Sequence, residues 1–458
     1  MVKLLLHLTD RLRAAPTVFS LAPLSAAVSA TLWYTAGMLP PQLALISQLR
    51  LDAQHTASWL CIVWLSSGLV SVALALKYRQ PLSLTSSTPA LVYLVAMGSR
   101  FAYPELMGAC AVAGTVSLLL GMSGLAGRLL RWLPLSLALG LLAGSLVENL
   151  VGLGRAVVAE PLLVGPTVLA YVFARRVPRL RCAGVGLAAL CGAATLAVSA
   201  VVRTAAPGWL TVGVIWQPPI LVPVAPEISA RALLSLVLPL VLLSLGLGHV
   251  QGVGYLRGQR YSVPEGPVTV AVGAISLVNA LFGGHPGNVS RIGVAFLAGP
   301  QAGRWSSRYV AVVLAGGGMV VLGCTAGTLA HVVALLPASY IVSLAGLALV
   351  EPFLDAVRKA LGGPLPRGAL VSFAVAALPL SPGGLPASVW ALVAGLIASL
   401  LLERTALLAT LRTEPDVSRS RTAGSWSTIT RRVSSAFLCL AAPRRAPLAV
   451  RHARLHAR

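Results

Sequence analysis

Of 458 residues, 57% are apolar and only 10% charged, against about 25% charged in an ordinary soluble domain. With a mean hydropathy of +0.85, the chain has too little polar surface to coat a water-soluble particle. Thirty-five Lys and Arg against 12 Asp and Glu leave +23, yet the basic residues stand singly or in pairs between apolar runs, which excludes the clustered basic face of a nucleic-acid binder.

What remains is an all-α polytopic membrane protein. A spanning helix takes about 20 apolar residues to cross roughly 30 Å of hydrocarbon. In chain order this gives spans near 17–38, 56–76, 81–99, 103–124, 134–151, 157–174 and 182–202. A second set follows near 230–250, 266–281, 282–299, 309–332, 336–357, 367–381 and 385–403. The N-terminus, with Lys3, Arg11 and Arg13 ahead of an apolar run, also has the make-up of a signal peptide. That run continues through Trp33 and Tyr34, however, and thirteen spans follow it. Fourteen spans with a cytoplasmic start place 29 of the 35 basic residues inside and five outside (Arg50, Arg100, Arg155, Arg203 and Arg231), with Arg291 within a span. Positive residues favour the cytoplasmic side, so both termini are expected there.

The chain then divides into a cytoplasmic N-terminus (1–15), a seven-helix repeat (16–204), an extracytoplasmic linker (205–229), a second seven-helix repeat (230–404) and a basic cytoplasmic tail (405–458). The tail reads as disordered, or as a basic segment whose residues 431–458 lie on anionic lipid. Six scattered Cys, with no C-x-x-C and no His at ligand spacing, exclude a disulfide scaffold and a zinc site. No metal and no cofactor are expected.

The two halves share a motif. Leu133-Pro134-Leu135-Ser136 precedes Ala143-Gly144 and Val147-Glu148, and Leu336-Pro337-Ala338-Ser339 precedes Ala345-Gly346 and Val350-Glu351. These copies fall on spans five and twelve, seven apart, so the second enters the membrane from the opposite side. Inverted repeats characterise secondary transporters, whose sites lie at the midplane on discontinuous helices.

Spans three and ten carry the expected breaks. Span three opens on Pro81 and runs Ser83, Thr85, Ser86, Ser87, Thr88, Pro89 before turning apolar, with Ser83, Thr85 and Ser87 alternating as on an extended segment. Pro after Ser/Thr marks a helix start, here near Thr88–Pro89. Span ten holds Gly283, Gly284, His285, Pro286, Gly287, Asn288, Val289, Ser290 and Arg291, where Gly and Pro cannot sustain a helix. Its start is expected within 286–290. Each half-helix would aim a positive N-terminal end at the midplane, which suits an anion.

An Arg at mid-membrane costs about 2.5–3.5 kcal/mol on insertion scales, so Arg291 must face a cavity or a partner. It either charges an anion site or pairs with Glu148 or Glu351. His249 on span eight and His285 in the break are either satisfied core residues or proton and ligand groups. Glu148 and Glu351 are either interfacial packing residues or proton carriers.

These segments resemble the benzoate/proton symporter (BenE-type) family. The likeness rests on Lys77-Tyr78-Arg79-Gln80-Pro81 through Ser87-Thr88-Pro89, on Tyr261-Ser262-Val263-Pro264 and Asn279-Ala280-Leu281-Phe282-Gly283, and on Leu335 through Leu349, in order over residues 16 to 404. It implies the seven-plus-seven inverted-repeat fold of uracil and sulfate permeases and cotransport of an aromatic carboxylate with protons across the inner membrane. Asn288-Val289-Ser290-Arg291 also resembles the S-F-S-R of sulfate permeases, whose Arg lies at the anion site. The chain departs from the pattern at Ala90, where Gly is expected, and at Leu247-Gly248-His249-Val250-Gln251-Gly252, where the family reads S-Q-N-x-P-G.

The sequence therefore points to a transporter, not an enzyme, which would need a nucleophile–base set or a metal cluster. Its expected action is proton-coupled uptake of benzoate or a similar aromatic carboxylate, with an inorganic-anion permease or a nucleobase symporter as alternatives. Ser86, Ser87, Thr88, His249, Gln251, His285, Asn288, Ser290 and Arg291 are the candidate substrate-binding residues. His249, His285, Glu148 and Glu351 are the candidates for proton coupling. The expected partners are a small anion, protons, the lipid bilayer and a second copy of the chain, with no nucleic acid.

Overall fold

A backbone N–H or C=O in hydrocarbon has no water to bond, so an apolar segment satisfies its own polar groups as a helix. The computed structural model describes residues 21–125, 135–177, 184–202, 216–334, 336–378 and 387–412. In the first half the apolar runs form α1 (Leu21–Gln48), α2 (Ala53–Tyr78), α3 (Thr88–Met97), α4 (Tyr103–Ser123), α5 (Leu135–Ala159), α6 (Pro161–Arg176) and α7 (Gly184–Val202). In the second they form α8 (Ala230–Gly258), α9 (Glu265–Leu281), α10 (Arg291–Leu297), α11 (Arg308–Cys324), α12 (Ala326–Ala334), α13 (Ala338–Leu361), α14 (Pro366–Ala377), α15 (Ala387–Leu402) and α16 (Arg404–Arg412). Two short strands, β1 (Leu84–Ser86) and β2 (Gly287–Val289), precede α3 and α10. Among the described residues, six helical stretches are individually long and apolar enough to cross a membrane, those of α2, α4, α5, α8, α11 and α13.

Several expectations need amendment. The sequence marked residues 83–87 as extended, but the all-helical reading missed the pairing of β1 with β2, because two three-residue strands become a ladder only when residues about 200 apart in sequence meet. The first span, expected to end at 38, runs on to Gln48 through Pro40 and Pro41. The eleventh, expected to be continuous over 309–332, divides into α11 and α12 at Thr325. The tail, expected to be unstructured from 405, begins with α16, bent 112° from α15; its Leu407 is 2% exposed, so burial of this face holds the first turns. The N-terminus 1–15, Leu133-Pro134, the start of the linker and the tail beyond 412 lie outside the described residues.

α4 lies along α9 and α2 along α11, while α5 packs against both α13 and α14, α6 against α7, and α14 against α15. Apolar side chains gain little by leaving lipid for one another, so small residues that admit close backbones drive such pairs. A Cβ at Gly114 would come within 2.7 Å of the Leu277 nitrogen, and one at Gly121 within 2.6 Å of the Val270 nitrogen. In the midst of these pairs lies α3, whose residues Ala90 to Met97 are all buried. A helix that is apolar all round belongs inside. A second apolar cluster joins Tyr34 and Met38 of α1 to Phe296 and Leu297 of α10 and Ala311 and Ala315 of α11.

Candidate functional site

The two breaks meet. β1 and β2 pair antiparallel with Leu84 opposite Val289, Thr85 opposite Asn288 and Ser86 opposite Gly287. The ladder is extended at its ends by Ser87 N–H to the Pro286 carbonyl at 2.8 Å and Ser290 N–H to the Ser83 carbonyl at 3.2 Å. Backbone that Pro and Gly keep out of a helix thus finds partners in the other break, which is how irregular chain is tolerated at membrane depth.

Side chains from four helices fix this ribbon. The Ser71 hydroxyl of α2 accepts from Leu84 N–H at 2.8 Å and donates to its carbonyl at 2.9 Å. Ser244 of α8 donates to the Gly287 carbonyl at 2.5 Å, and Gly287 N–H donates to Ser276 of α9 at 2.9 Å. Tyr34 of α1 shares a hydrogen bond with Ser83 at 2.8 Å, and its hydroxyl closes on Gly293 of α10, where a Cβ would overlap it. One hydroxyl of α1 therefore touches both broken spans.

Each half-helix then starts on a serine cap. Ser87 Oγ accepts from Ala90 N–H ahead of α3, with Pro89 in the first turn, and Ser290 Oγ accepts from Gly293 N–H ahead of α10. Such caps satisfy the free N–H groups of a first turn. The start of α3 at Thr88 matches the expected position; that of α10 falls at Arg291, one residue past the expected window, because Ser290 serves as its cap.

Around these starts the burial changes. Ser83 to Ser87 and Gly283 to Val289 are buried, but Thr88, Pro89, Ser290, Arg291 and Ile292 are partly exposed, as is Gln251. The residues that open onto accessible space are thus the two helix starts and the helix facing them. Arg291 donates from Nη1 to Gln251 Oε1 at 2.9 Å. Asn288 donates its amide to Ser87 Oγ at 3.3 Å, and its Oδ1 has no hydrogen-bond partner among the described residues. Ser86 turns to Met38, donating to its sulfur at 3.7 Å.

α8 is unusually wound where it approaches β2. Residues Leu233–Val237 and Leu242–His249 form π-helical turns, a rare geometry that is frequent at functional sites. Gly248 closes against β2: a Cβ there would overlap the Asn288 side chain.

The two histidines point elsewhere. His285 lies in the break but turns toward α2, where Trp59 Nε1–H donates to its Nδ1 at 3.1 Å. Trp59 in turn stacks on Tyr103 with ring centroids 6.1 Å apart. His249 turns toward α9, with its Nε2 3.2 Å from Thr269 Oγ1. Glu148 pairs with Arg100 at 3.4 Å, and Glu351 pairs with Arg175. Ser86, Ser87, Thr88, Gln251, Asn288, Ser290 and Arg291 are therefore brought together, while Glu148 and Glu351 serve ion pairs of their own at the margins.

Two residues were missed by sequence reasoning. Tyr34 stands in the sequence only as part of the first apolar run, yet it is 1% exposed and tied to Ser83. Gln42 lies one turn beyond Met38 on α1, is fully buried, and has no partner for either amide atom among the described residues. Its signal in the sequence is Pro40-Pro41-Gln42, a polar residue after two prolines inside an apolar run.

Two discontinuous helices crossing within a bundle of membrane-spanning helices are the working parts of a membrane transporter. Residues 18–401 match the family model described as benzoate membrane transport protein. The chain belongs to that family. It is 28% identical to the inner membrane protein YdcO of Escherichia coli (strain K12) over 349 residues, which is 76% of this chain and 87% of that protein. It is 27% identical over 355 residues to the benzoate membrane transport protein of Acinetobacter baylyi, covering 77% of this chain and 88% of that one. Among solved structures, the transmembrane domain of the cyanobacterial bicarbonate transporter BicA is similar, at TM-score 0.47 and 16% identity over 85% of this chain and 96% of that chain.

Proposed function

We propose that this protein is a proton-coupled importer of a small aromatic carboxylate of the benzoate kind, acting in the inner membrane. The observation that carries the reading is the β1–β2 ladder, which brings the starts of α3 and α10, partly exposed at Thr88, Ser290 and Arg291, together beside the buried Asn288. In this reading the carboxylate takes charge-assisted hydrogen bonds from Arg291 and from the hydroxyls of Thr88 and Ser290, while Met38, Pro89 and Ile292 offer an apolar wall to the ring. Gln42, Ser87 and Gln251 complete the polar set. The A. baylyi relative, a benzoate membrane transport protein by name, supports the same substrate class.

The same proposal includes fourteen spans in two inverted repeats, 16–204 and 230–404, joined by 205–229, with both termini in the cytoplasm. The helix packing supports it. Exchanging each span for the one seven places away turns the α4–α9 pair into α11–α2, the α6–α7 pair into α14–α15, and the α5–α14 pair into α13–α6, and each of these contacts is present.

Purified protein in proteoliposomes, offered radiolabelled benzoate, sulfate or uracil with and without an inward proton gradient, tests the function. Benzoate accumulation driven by the gradient is the expected result. Gradient-driven accumulation of sulfate or uracil without benzoate would overturn it.

A further inference from the structure

Resting on the proton-coupled reading above, we infer that His249 takes up the coupling proton, on Nδ1, and that His285 stays neutral through the cycle. The argument is one of donors and acceptors. Thr269 has one hydroxyl proton, and at 2.8 Å it is committed to the Glu265 carbonyl, which can only accept. The longer 3.2 Å contact to His249 Nε2 must then be an imidazole N–H donating to the Thr269 oxygen. A neutral imidazole carries one N–H, so Nδ1 of His249 holds a bare lone pair. That atom is buried and has no hydrogen-bond partner among the described residues, on a side chain 5% exposed.

His285 has the same tautomer for a different reason. The Trp59 indole can only donate, so its 3.1 Å bond makes Nδ1 of His285 the acceptor and puts the proton on Nε2. An added proton has to bind Nδ1 in both residues. In His249 it forms a new N–H bond while the Thr269 bond persists. In His285 it would set two N–H groups against each other and break the Trp59 bond.

The position of His249 fits the task. Its neighbours Gly248 and Gln251 touch Asn288 and Arg291, so the anion and the proton address one segment of α8. On its other side, Thr269 lies four residues, about 6 Å along the helix, from Glu265 at the start of α9. Glu265 pairs with Arg257 at 2.6 Å, with both side chains about half exposed. The other ionisable groups on elements packed around His249 are Tyr93 of α3, which donates to the Ser235 carbonyl, Tyr255 on α8 and Arg231 at its far end, over the Phe101 ring, Arg155 and Glu148 of α5, and Arg291 of α10. The proton enters on Nδ1 and leaves from it to water on the opposite side, with no other bond made or broken.

His249→Gln keeps an N–H at the Nε2 position and removes the titrating nitrogen. In proteoliposomes it should exchange labelled for unlabelled benzoate near the wild-type rate, yet lose at least tenfold in accumulation driven by a proton gradient. His285→Gln should retain gradient-driven accumulation. If the wild-type protein shows no gradient dependence, the proton-coupled reading falls and this assignment with it. If the wild type is gradient-driven and His249→Gln equally so, the assignment alone is overturned. Should His249→Gln fail to fold, 15N spectra of histidine-labelled wild-type and His285→Gln protein in lipid decide the matter. The buried imidazole that becomes cationic as pH falls should persist in His285→Gln; its disappearance there would overturn the inference.

Discussion

The Asn288 amide donates to Ser87 Oγ at 3.3 Å, across 201 positions of sequence. Ser87 is also the cap of α3, so the side chain of one break reports directly on the helix start of the other. Anything that moves α10 relative to α3 must break this bond or carry both breaks together.

Arg291→Ala should lower anion affinity by roughly 10- to 150-fold, the equivalent of about 1.5–3 kcal/mol for a lost charge-assisted hydrogen bond. Arg291→Lys should recover only part, since a point charge replaces a planar fork. Because Glu148 and Glu351 are paired with Arg100 and Arg175, the melting temperature should change little. Calorimetric titration with benzoate, alongside thermal denaturation, checks both halves. Wild-type affinity in folded Arg291→Ala protein would end the anion-site reading.

Gln42→Leu offers a sharper separation. A buried amide whose donor and acceptor both lack partners costs stability, and an apolar replacement of similar shape is neutral or stabilising. The variant should therefore melt at the wild-type temperature or higher while losing anion affinity several-fold. A drop in melting temperature with unchanged affinity would make Gln42 a structural residue.

Gly248→Ala places a methyl group against the Asn288 side chain. Overpacking of this kind costs about 1–3 kcal/mol, and here it would push α8 from β2. Uptake should fall severely, while Gly258→Ala, where a Cβ meets nothing within 4 Å, should behave as wild type in the same assay.

The topology can be read by single cysteines placed in a cysteine-free background at Leu51, after α1, and at Val177, after α6. A membrane-impermeant thiol reagent should reach them from opposite faces, Leu51 from outside. Labelling of both from one face would refute the fourteen-span arrangement.

Asp52 caps α2, accepting from His55 N–H and His55 Nδ1 at 2.8 Å each. These bonds, the backbone one foremost, hold its carboxyl below the usual range. A depressed folded pKa means that the stabilisation is fully present above the ordinary Asp value of about 3.9 and is lost as pH falls through the folded value. Asp52→Ala should cost about 0.5–2 kcal/mol at neutral pH. The gap in melting temperature between wild type and variant should close as pH is lowered past 4; a gap independent of pH would show that the carboxylate charge is not what caps the helix.

The sequence by itself determined that this chain lives in a membrane, where its helices lie, and where two of them break. Hydrocarbon leaves an apolar run one way to satisfy its backbone, and Pro and Gly at membrane depth forbid that way at residues 81–89 and 283–290. The start of α3 at Thr88 was legible for the same local reason, whereas the role of Ser290 as a cap was not, and α10 begins one residue past the expected window. What only the tertiary structure decided was which polar groups face one another. Pairing of β1 with β2 depends on helices that close a loop of some 200 residues, and no local pattern encodes that meeting. His249 and Gln251, two residues apart, point to opposite sides of α8 by helical geometry, but only the packing decided that one meets Thr269 and the other Arg291. Tyr34 and Gln42 look like two stray polar groups in an apolar run until α1 is packed against both half-helices. A side chain's chemistry is written in its sequence, but its hydrogen-bond partner is set by the packing of helices far away along the chain.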